Sequence, residues 1–586
     1  MDFFEKISLP KKVPKKTTHR NCYMNVSLDA SPFKNKNSRQ RINSNISAFN
    51  QALEQTGSQR AAAKITGIPR SSARYHQQRQ SNCDIDEEVK AFFYTSAGMK
   101  LLHRLSLAAE FVFTQVGEAG IRLIKLFYEL SQLDRFIACS LGSLHKRVKT
   151  MENNLIEYGH QQEQALASHM PAKEITCCLD ETFPSGICLV GMEPESNFIL
   201  LEEMADKRDC DTWNQAMKKR LEVFPVKVVQ VTSDGATALI KYTEQCLNSH
   251  HSPDLFHIQQ DISKGTSAPL RAKVKSRKKS VDQCTLVLEA CEQAKQADER
   301  LENRRVGRPI DHELRVAVAE VELEEAKKEY ESAEKRYEVV RENRLKLGEV
   351  YHPFDIDSAK KKTGKQLRKQ LTRIFDDIDA RAEEAELRDN SRAYVTKARN
   401  RIEAMVCTLN FFWAMVTERV KLLDVSVDVK HLFLKVLLPA VYFELHAWKA
   451  NLAEEKYKKL AMSNALYEQL DRNASWKRLS VEKQNELKKR AVEYAQLFQR
   501  SSSNVEGRNG YLSLHHHVYK KMNPRKMQAA TIIHNYFIKR KDSTTAAERF
   551  FGTAPEDVFS WLLTNTDYPA SPAKRRSVVR KLSCAA

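Results

Sequence analysis

Residues 174–204 read EITCCLDETFPSGICLVGMEPESNFILLEEM. Three short apolar runs, EITCCLDE, GICLVGME and NFILLEEM, are separated by turn residues, which is the pattern of three consecutive strands in an antiparallel meander. A helical stretch follows at about 209–223, and then VKVVQVTSDGA (226–236) reads as an apolar, β-branched strand ending in Asp234 and Gly235. ATALIKYTEQCL (236–247) resumes a helix, and SPDLFHIQQDI (252–262) supplies a further short strand. Three strands, helix, strand, helix, strand is an α/β layer order, and in such layers chemistry gathers at strand ends.

The rest of the chain is different in kind. Its 586 residues hold 95 Lys/Arg against 75 Asp/Glu, a net charge of +20, with 42% apolar residues and only 17 Gly and 17 Pro. That excludes collagen-like and globally disordered classes, and the length suggests two to four domains. No run reaches the eighteen or so apolar residues that a spanning helix needs, and MDFFEKISLPKKVPKK lacks the apolar core of a secretory signal, so a soluble, intracellular protein with no membrane partner is expected. The excess charge is uneven: residues 1–80 carry +11, residues 501–586 carry +8, and the long middle only +1. Positive charge concentrated in this way suits a polyanion partner, because neutralising phosphates releases counterions, although solvated basic tails have the same composition. The twelve cysteines include no Cys-x-x-Cys pair, and most lie in apolar runs such as EITCCL, so zinc is not expected and a reducing cytosol fits.

Residues 1–42 show no period and read as a basic flexible arm. Residues 43–82 contain an apolar helix at Ile46, Phe49 and Leu53, a break at Gly57, a small-residue helix from Ala61 to Ile65, and Gly67 before a third helix beginning at Pro69. Ala63 and Gly67 provide the small crossing residue and the turn residue of a helix-turn-helix, although Ala73 stands where a larger aliphatic is usual. Arg60 and the third helix's Arg70, Ser71, Ser72, Arg74, Tyr75, Gln77 and Gln78 are types that bond base edges and phosphates. Three small packing helices would read similarly.

Residues 83–170 read as helices and suggest a linker or scaffold. Between 272 and about 400 the chain is highly charged. Val316, Ala319, Leu323, Ala326, Tyr330, Ala333, Tyr337, Val340 and Leu347 alternate by threes and fours, predicting a coiled-coil arm over about 280–350, folded back at Gly307–Pro309 or forming a dimer seam. The GRP turn, flanked by Arg304, Arg305 and Arg308, either touches a minor groove or simply reverses the chain. Residues 400–500 return to apolar helices, including FFWAMV and HLFLKVLLPAVYF.

Two acids stand out by position. Asp180 closes the first strand and Asp234 the fourth; if those strands are neighbours, their carboxylates meet at one sheet edge. Either acid alone reads as an ordinary turn or cap residue. Hard divalent ions take clustered carboxylate oxygens, and two of them about 3.5 to 4 Å apart can clamp the attacking and leaving oxygens of a phosphodiester. Glu181, one residue on, points to the opposite face of the strand.

A meander bearing LDE, a strand ending in SDG, a DLFH segment, a long helical insertion and a Glu in SNVEGRNG together resemble a DDE-type insertion-sequence transposase with a ribonuclease H-like core. The large insertion before the last acid is similar to the hAT arrangement. The resemblance covers about 174–262 and 500–560. It implies a multidomain α plus α/β protein: a helix-turn-helix at 43–82, core parts at 171–265 and 500–560, a helical insertion at 266–499, and a basic tail at 561–586. It implies Asp180, Asp234 and Glu506 as ligands of two Mg2+ ions, with Mn2+ able to substitute. Glu506 would sit in a first helical turn after an N-cap at Ser503 or Asn504, where an acid also simply complements the helix dipole. His257 matches a position where related transposases carry a His near the metal, and a buried structural His is the alternative. Asp261 is a poorer candidate. Arg508 and Asn509 resemble the family's E-G-R-N run and would hold a DNA phosphate. His515, His516 and His517 fan outward on a helix and suit a DNA-facing or solvated role. TIIHNYF and DSTTAAERFFG close the core.

The resemblance implies nicking at transposon ends followed by attack of the freed 3′-hydroxyl on target DNA. Double-stranded terminal repeats and target DNA would be the partners of a homodimer or larger assembly, in a cytoplasmic, nucleoid-associated setting. A ribonuclease H-like nuclease that does not join strands, or a catalytically decayed DNA-binding regulator, are the competing expectations.

Overall fold

The computed structural model describes residues 38–81, 87–117, 119–183, 186–300, 310–450, 452–519 and 523–572. The basic arm up to residue 37, the Gly307–Pro309 turn with Arg304, Arg305 and Arg308, and the tail from 573 lie outside the described residues, as do the side chains of Tyr75 and Gln78. The chain is mostly helical with one five-stranded mixed sheet. Its described residues form two compact units: one takes those within 38–106, 127–140 and 567–572, the other those within 107–126 and 141–566. The expected 83–170 segment is therefore divided between them.

In the first unit, helices Ser38–Thr56, Gln59–Thr66 and Arg70–Ser81 follow one another. Gly57 and Gly67 take positive φ (61° and 68°) at the two turns, a conformation that glycine adopts without a Cβ penalty. Phe49, Ala52, Ala62 and Ala73 form their shared core, with Leu53, Ala63 and Ile68 against it. Ala73 is only 1% exposed: the three helices meet closely enough there that a larger aliphatic would not fit without separating them.

In the second unit the sheet order is β3-β2-β1-β4-β5. β1 (Lys173–Thr182), β2 (Ile187–Glu193) and β3 (Phe198–Ala205) form the expected antiparallel meander. β4 (Val226–Ser233) runs parallel to β1, and β5 (His250–Pro253) parallel to β4. Because strand side chains alternate, Ile175, Cys177 and Leu179 enter one core, with Met151 and Leu155 of the long Leu141–His169 helix and Trp213 of Cys210–Leu221. Cys178 enters the core of the other face, with Val505 and Leu512 of the Ser503–Tyr519 helix. Asn535 bonds both N (2.9 Å) and O (3.1 Å) of Ile199, so this side chain satisfies backbone on the outer strand β3. Phe550 stacks on Phe198 at 4.5 Å, and Trp561 and Leu562 enter the same core; the helix Val558–Asn565 is thus part of the core rather than of a tail beginning at 561.

One element differs in kind from the sequence reading. SPDLFHIQQDI is not a strand beyond Ser252–Pro253: Asp254 accepts from the Phe256 N–H at 2.8 Å and caps a helix, Leu255–Ile262. The apolar residues Leu255, Ile258 and Ile262 fall three and four apart and share one buried face, so the helical period wins over the short apolar run.

The helical region beyond begins with two antiparallel helices, Ala268–Glu299 and His312–Val350. Arg277 pairs with Glu329 (2.7 Å), Lys295 with Glu313 (3.7 Å) and His312 with Asp298 (3.6 Å), which sets their register. Ala319, Leu323, Ala326, Ala333, Val340 and Leu347 are buried along the seam. The arm is thus an intramolecular hairpin. Residues 347–498 then build a large core containing Phe412, Trp413, Phe433 and Tyr442, which also receives Val229 from β4 and Ile258 and Ile262 from the capped helix.

Candidate functional site

Strand alternation places Asp180 on the same face as Cys178, the face covered by Ser503–Tyr519, and Glu181 on the other, where its Oε1 accepts from Trp213 Nε1 at 3.2 Å. β1 and β4 are hydrogen-bonded neighbours, with Cys178 opposite Thr232; two residues further along each strand stand Asp180 and Asp234. Glu506 lies in the first turn of Ser503–Tyr519, a helix that starts one residue before the expected caps could act: the Val505 and Glu506 N–H groups both donate to Ser502 O. His257 arrives from the capped helix after β5.

These elements bring three of the expected residues together. Ligand atoms of Asp180, His257 and Glu506 all lie within 4.8 Å of one another. His257 Nε2 stands 3.1 Å from Glu506 Oε1 and 3.7 Å from Asp254 Oδ2. Asp234 borders the cluster rather than joining it; its Oδ1 accepts from the Ala236 N–H at 2.8 Å. Burial pushes the Asp180 carboxyl up to about 7, with the Glu506 and Asp234 charges adding to the rise and the Glu181 N–H bond opposing it. Burial pulls His257 down, but Glu506, Asp254 and Asp180 outweigh it, and the imidazole titrates above its ordinary value.

A further set of contacts fixes this geometry. Asn509 Nδ2 donates to Asp180 Oδ2 at 2.7 Å, while the Glu181 N–H holds Oδ1 at 2.8 Å, so both carboxylate oxygens are oriented. Ser502 Oγ donates to Asp254 Oδ2, tying the start of the Glu506 helix to the cap of the His257 helix. The Leu255 N–H donates to Arg500 O at 2.9 Å across the same junction.

Three expected roles are corrected. Arg508 does not face a phosphate: it is 5% exposed and makes two 2.7 Å bonds to Glu202, whose Oε2 also accepts from Thr531 at 2.6 Å. Its position in the helix points it into the sheet, where an uncompensated Glu202 charge would be costly. Nor do the three histidines all fan outward. His515 is buried with its ring 4.1 Å from Tyr511, and burial lowers it to about 4; His517 is exposed. Asn509 holds Asp180 instead of a phosphate. Asp261 is paired with Lys397 at 3.0 Å.

One residue near this edge carries no signal in the sequence. Arg401, in KARNRIEAM of the helical region, donates from Nη2 to Gly235 O at 3.3 Å, directly after Asp234. Among the described residues no carboxylate lies within ion-pair distance of it. Gly235 has φ 79°, which favours glycine, and a Cβ there would push the Arg401 guanidinium aside. Only folding brings residue 401 to residue 235.

In the first unit, Arg60, Arg70, Ser71, Ser72 and Arg74 are exposed. Gln77 is half-buried and donates to Asn50 Oδ1 at 2.6 Å, which occupies the amide expected to read a base.

No helix among the described residues is long and apolar enough to cross a membrane. No curated protein and no solved structure matches the chain. Residues 433–578, which include Glu506, Arg508 and Asn509 but neither Asp180 nor Asp234, match a family of unknown function (DUF6399).

Proposed function

We propose that this chain is a DDE-type DNA transposase whose five-stranded sheet is a ribonuclease H-like core interrupted by the helical region. The observation that carries the reading is the meeting of Glu506 with Asp180 and His257 within 4.8 Å, from segments separated by more than 200 residues of helices. The strand order, with an antiparallel meander followed by two parallel strands, and the adjacency of Asp180 and Asp234 support it.

The donor set is suited to Mg2+. Crowded carboxylates with an imidazole beside them, one of them holding its proton up to about pH 7, form a centre whose mutual repulsion a hard cation relieves. Asp180, Asp234 and Glu506 would hold it, and when bound it activates the attacking oxygen and stabilises the leaving one. The chain's own groups do the rest. Asn509 fixes the direction of Asp180. Asp254, through His257, and Ser502, through the helix start, position Glu506. His257 sets its Nε2 3.1 Å from Glu506 Oε1 and so orients that carboxylate, and Arg401 neutralises a phosphate oxygen next to Asp234. Positioning of this kind accounts for most of the catalysis of an in-line displacement. The three N-terminal helices act as a helix-turn-helix that brings the end sequence, gripped by Arg60, Arg70, Ser71, Ser72 and Arg74.

The test uses DNA ends taken from inverted repeats flanking the gene. With Mg2+, the purified chain nicks these ends and joins the 3′-hydroxyl to a target duplex, and Asp180→Asn, Asp234→Asn and Glu506→Gln each abolish both steps while retaining end binding. Hydrolysis without joining would make it a nuclease, and end binding with no metal-dependent cutting a regulator. Metal-dependent nicking by any of the three variants would overturn the triad.

A further inference from the structure

Between the coiled-coil hairpin and the next helix, Gly364–Glu384, the chain makes a compact loop, 351–363, that bears three consecutive lysines. The loop is held rigidly. The Asp355 N–H donates to Lys360 O (2.9 Å), Ala359 N–H to Asp355 O (2.8 Å) and Lys362 N–H to Pro353 O (2.8 Å). Ala359 takes φ 55°, a strained value that the surrounding bonds impose. Below it, Phe354 packs edge-on against Trp413, and Trp413 Nε1 donates to Lys362 O at 3.0 Å.

This loop and the first turns of Gly364–Glu384 enclose a cavity of about 390 Å³, within the range of small-ligand sites. Lys360, Lys361, Lys362 and Lys369 line it with one acid, Asp355. Asp355 Oδ1 already accepts from Ser358 N (3.0 Å) and Oγ (2.8 Å). Elsewhere in this region cations meet acids: Arg368 with Glu403 (2.7 Å), Arg399 with Asp379 (2.6 Å), Lys458 with Asp357 (2.6 Å). Around the cavity they do not. Among the described residues no carboxylate lies within ion-pair distance of Lys360, Lys361 or Lys369. Lys361 instead stands 4.3 Å over the Trp413 ring, and buried Lys362 donates to Val350 O at 2.7 Å. Gln370 also lines the cavity, and its Oε1 is buried without a hydrogen-bond partner; rotating the amide presents its NH2 group instead.

We propose that this cavity binds a chain of linked phosphates. Lysines serve as point charges for phosphate oxygens, and a loop already fixed in place loses little entropy when it binds. Four lysines against one acid in the lining call for several negative charges, which linked phosphates carry and a single carboxylate does not. The occupant that fits a cavity of this volume is the triphosphate of a nucleotide, whose phosphates are directly linked; a DNA backbone, with sugars between its phosphates, is the contrary outcome of the test. The inference is independent of the catalytic reading, since no residue is shared with the Asp180 site.

Inorganic tripolyphosphate is the probe, titrated calorimetrically into the full chain. Saturable binding is expected in the wild type. Lys360→Ala/Lys369→Ala, both exposed positions, should weaken it at least tenfold without moving the melting temperature, and Lys360→Arg/Lys369→Arg should keep it. Lys365→Ala, on the same helix but outside the cavity, should bind as wild type. No saturable binding, equal affinity in the double alanine variant, or an equal loss in Lys365→Ala would overturn the site. Displacement of the probe by a nucleoside triphosphate but not by a short duplex supports a nucleotide occupant; displacement by the duplex supports DNA.

Discussion

Asn509 donates its side-chain amide to Asp180 Oδ2 at 2.7 Å, linking two positions 329 residues apart. The bond leaves Asp180 with one oxygen on the backbone and the other on a helix that arrives from far along the chain, so the direction of the carboxylate depends on that helix being seated. On the proposed reading, Asn509→Ala lowers the single-turnover cleavage rate by about tenfold, the equivalent of about 1.4 kcal/mol, while DNA affinity is unchanged. Asn509→Asp, which adds a charge to the crowded site, should be worse than alanine.

The raised Asp180 carboxyl makes a statement about stability. Its folded value of about 7 lies above the ordinary 3.8, so the folded chain holds this proton more tightly than the unfolded one. Stability is therefore lost as pH rises from about 4 to 7. Asp180→Asn should stabilise the metal-free protein, with a gain that grows from pH 5 to 7 and levels off above 8. Three units correspond to about 4 kcal/mol at most, reduced by the solvent the group still touches. Urea denaturation at several pH values measures it. Mg2+ should raise the melting temperature of the wild type at pH 8 and leave that of Asp180→Asn unmoved.

Arg508 is predicted to act on folding and not on DNA. Removing one partner of a buried pair leaves the other charge uncompensated, so Arg508→Ala should cost about 3–5 kcal/mol. Arg508→Met combined with Glu202→Gln should recover much of that loss. A double-mutant cycle by denaturation checks this, and a selective loss of DNA affinity at unchanged stability would contradict it.

Arg401→Gln should slow cleavage by ten- to a hundredfold with little change in melting temperature, because its guanidinium makes one hydrogen bond to a carbonyl and no ion pair. Gly235→Ala should be damaging in a different way, as it strains a positive φ and displaces the same guanidinium. Circular dichroism separates the two effects.

Arg70→Ala/Arg74→Ala should weaken end binding and reduce the slope of log K against log salt by about 2. Gln77→Ala, by contrast, should reduce the stability of the three-helix unit through the lost Asn50 bond, with no change in the sequence preferred.

What was readable in advance follows the range of the interactions. The meander and β4 are legible because strand period and turn residues act locally, whereas the adjacency of β1 and β4 is a condition that the sequence leaves open and that the sheet order meets, with Asp234 at the border of the cluster. The coiled-coil seam is legible for the same reason, and so is closure within one chain as one of two readings; the buried seam and pairs such as Arg277 to Glu329 decide for the hairpin. DLFHIQ reads equally well as strand or helix because its three apolar residues, Leu255, Phe256 and Ile258, are too few to fix a period; the Asp254 cap decides for the helix. Arg508 was misassigned because an arginine after a catalytic-type acid looks like a phosphate ligand until Glu202 is found beneath it. Arg401 carries no such signal, since nothing in the turn it occupies before the Ile402–Lys421 helix refers to residue 235.

The helical region between Ile262 and Ser503 imposes an order of events. Asp180 and Asp234 emerge early in synthesis, but Glu506 is more than 250 residues behind and is brought to Asp180 only across the helical region. A nascent or truncated chain that ends anywhere before the Ser503–Tyr519 helix holds two carboxylates that repel each other and no Asn509 to orient them. The distance along the chain thus gives the cluster a high contact order: Asp180, His257 and Glu506 meet only once the Ser503–Tyr519 helix is seated, and closure of so non-local a kind slows folding.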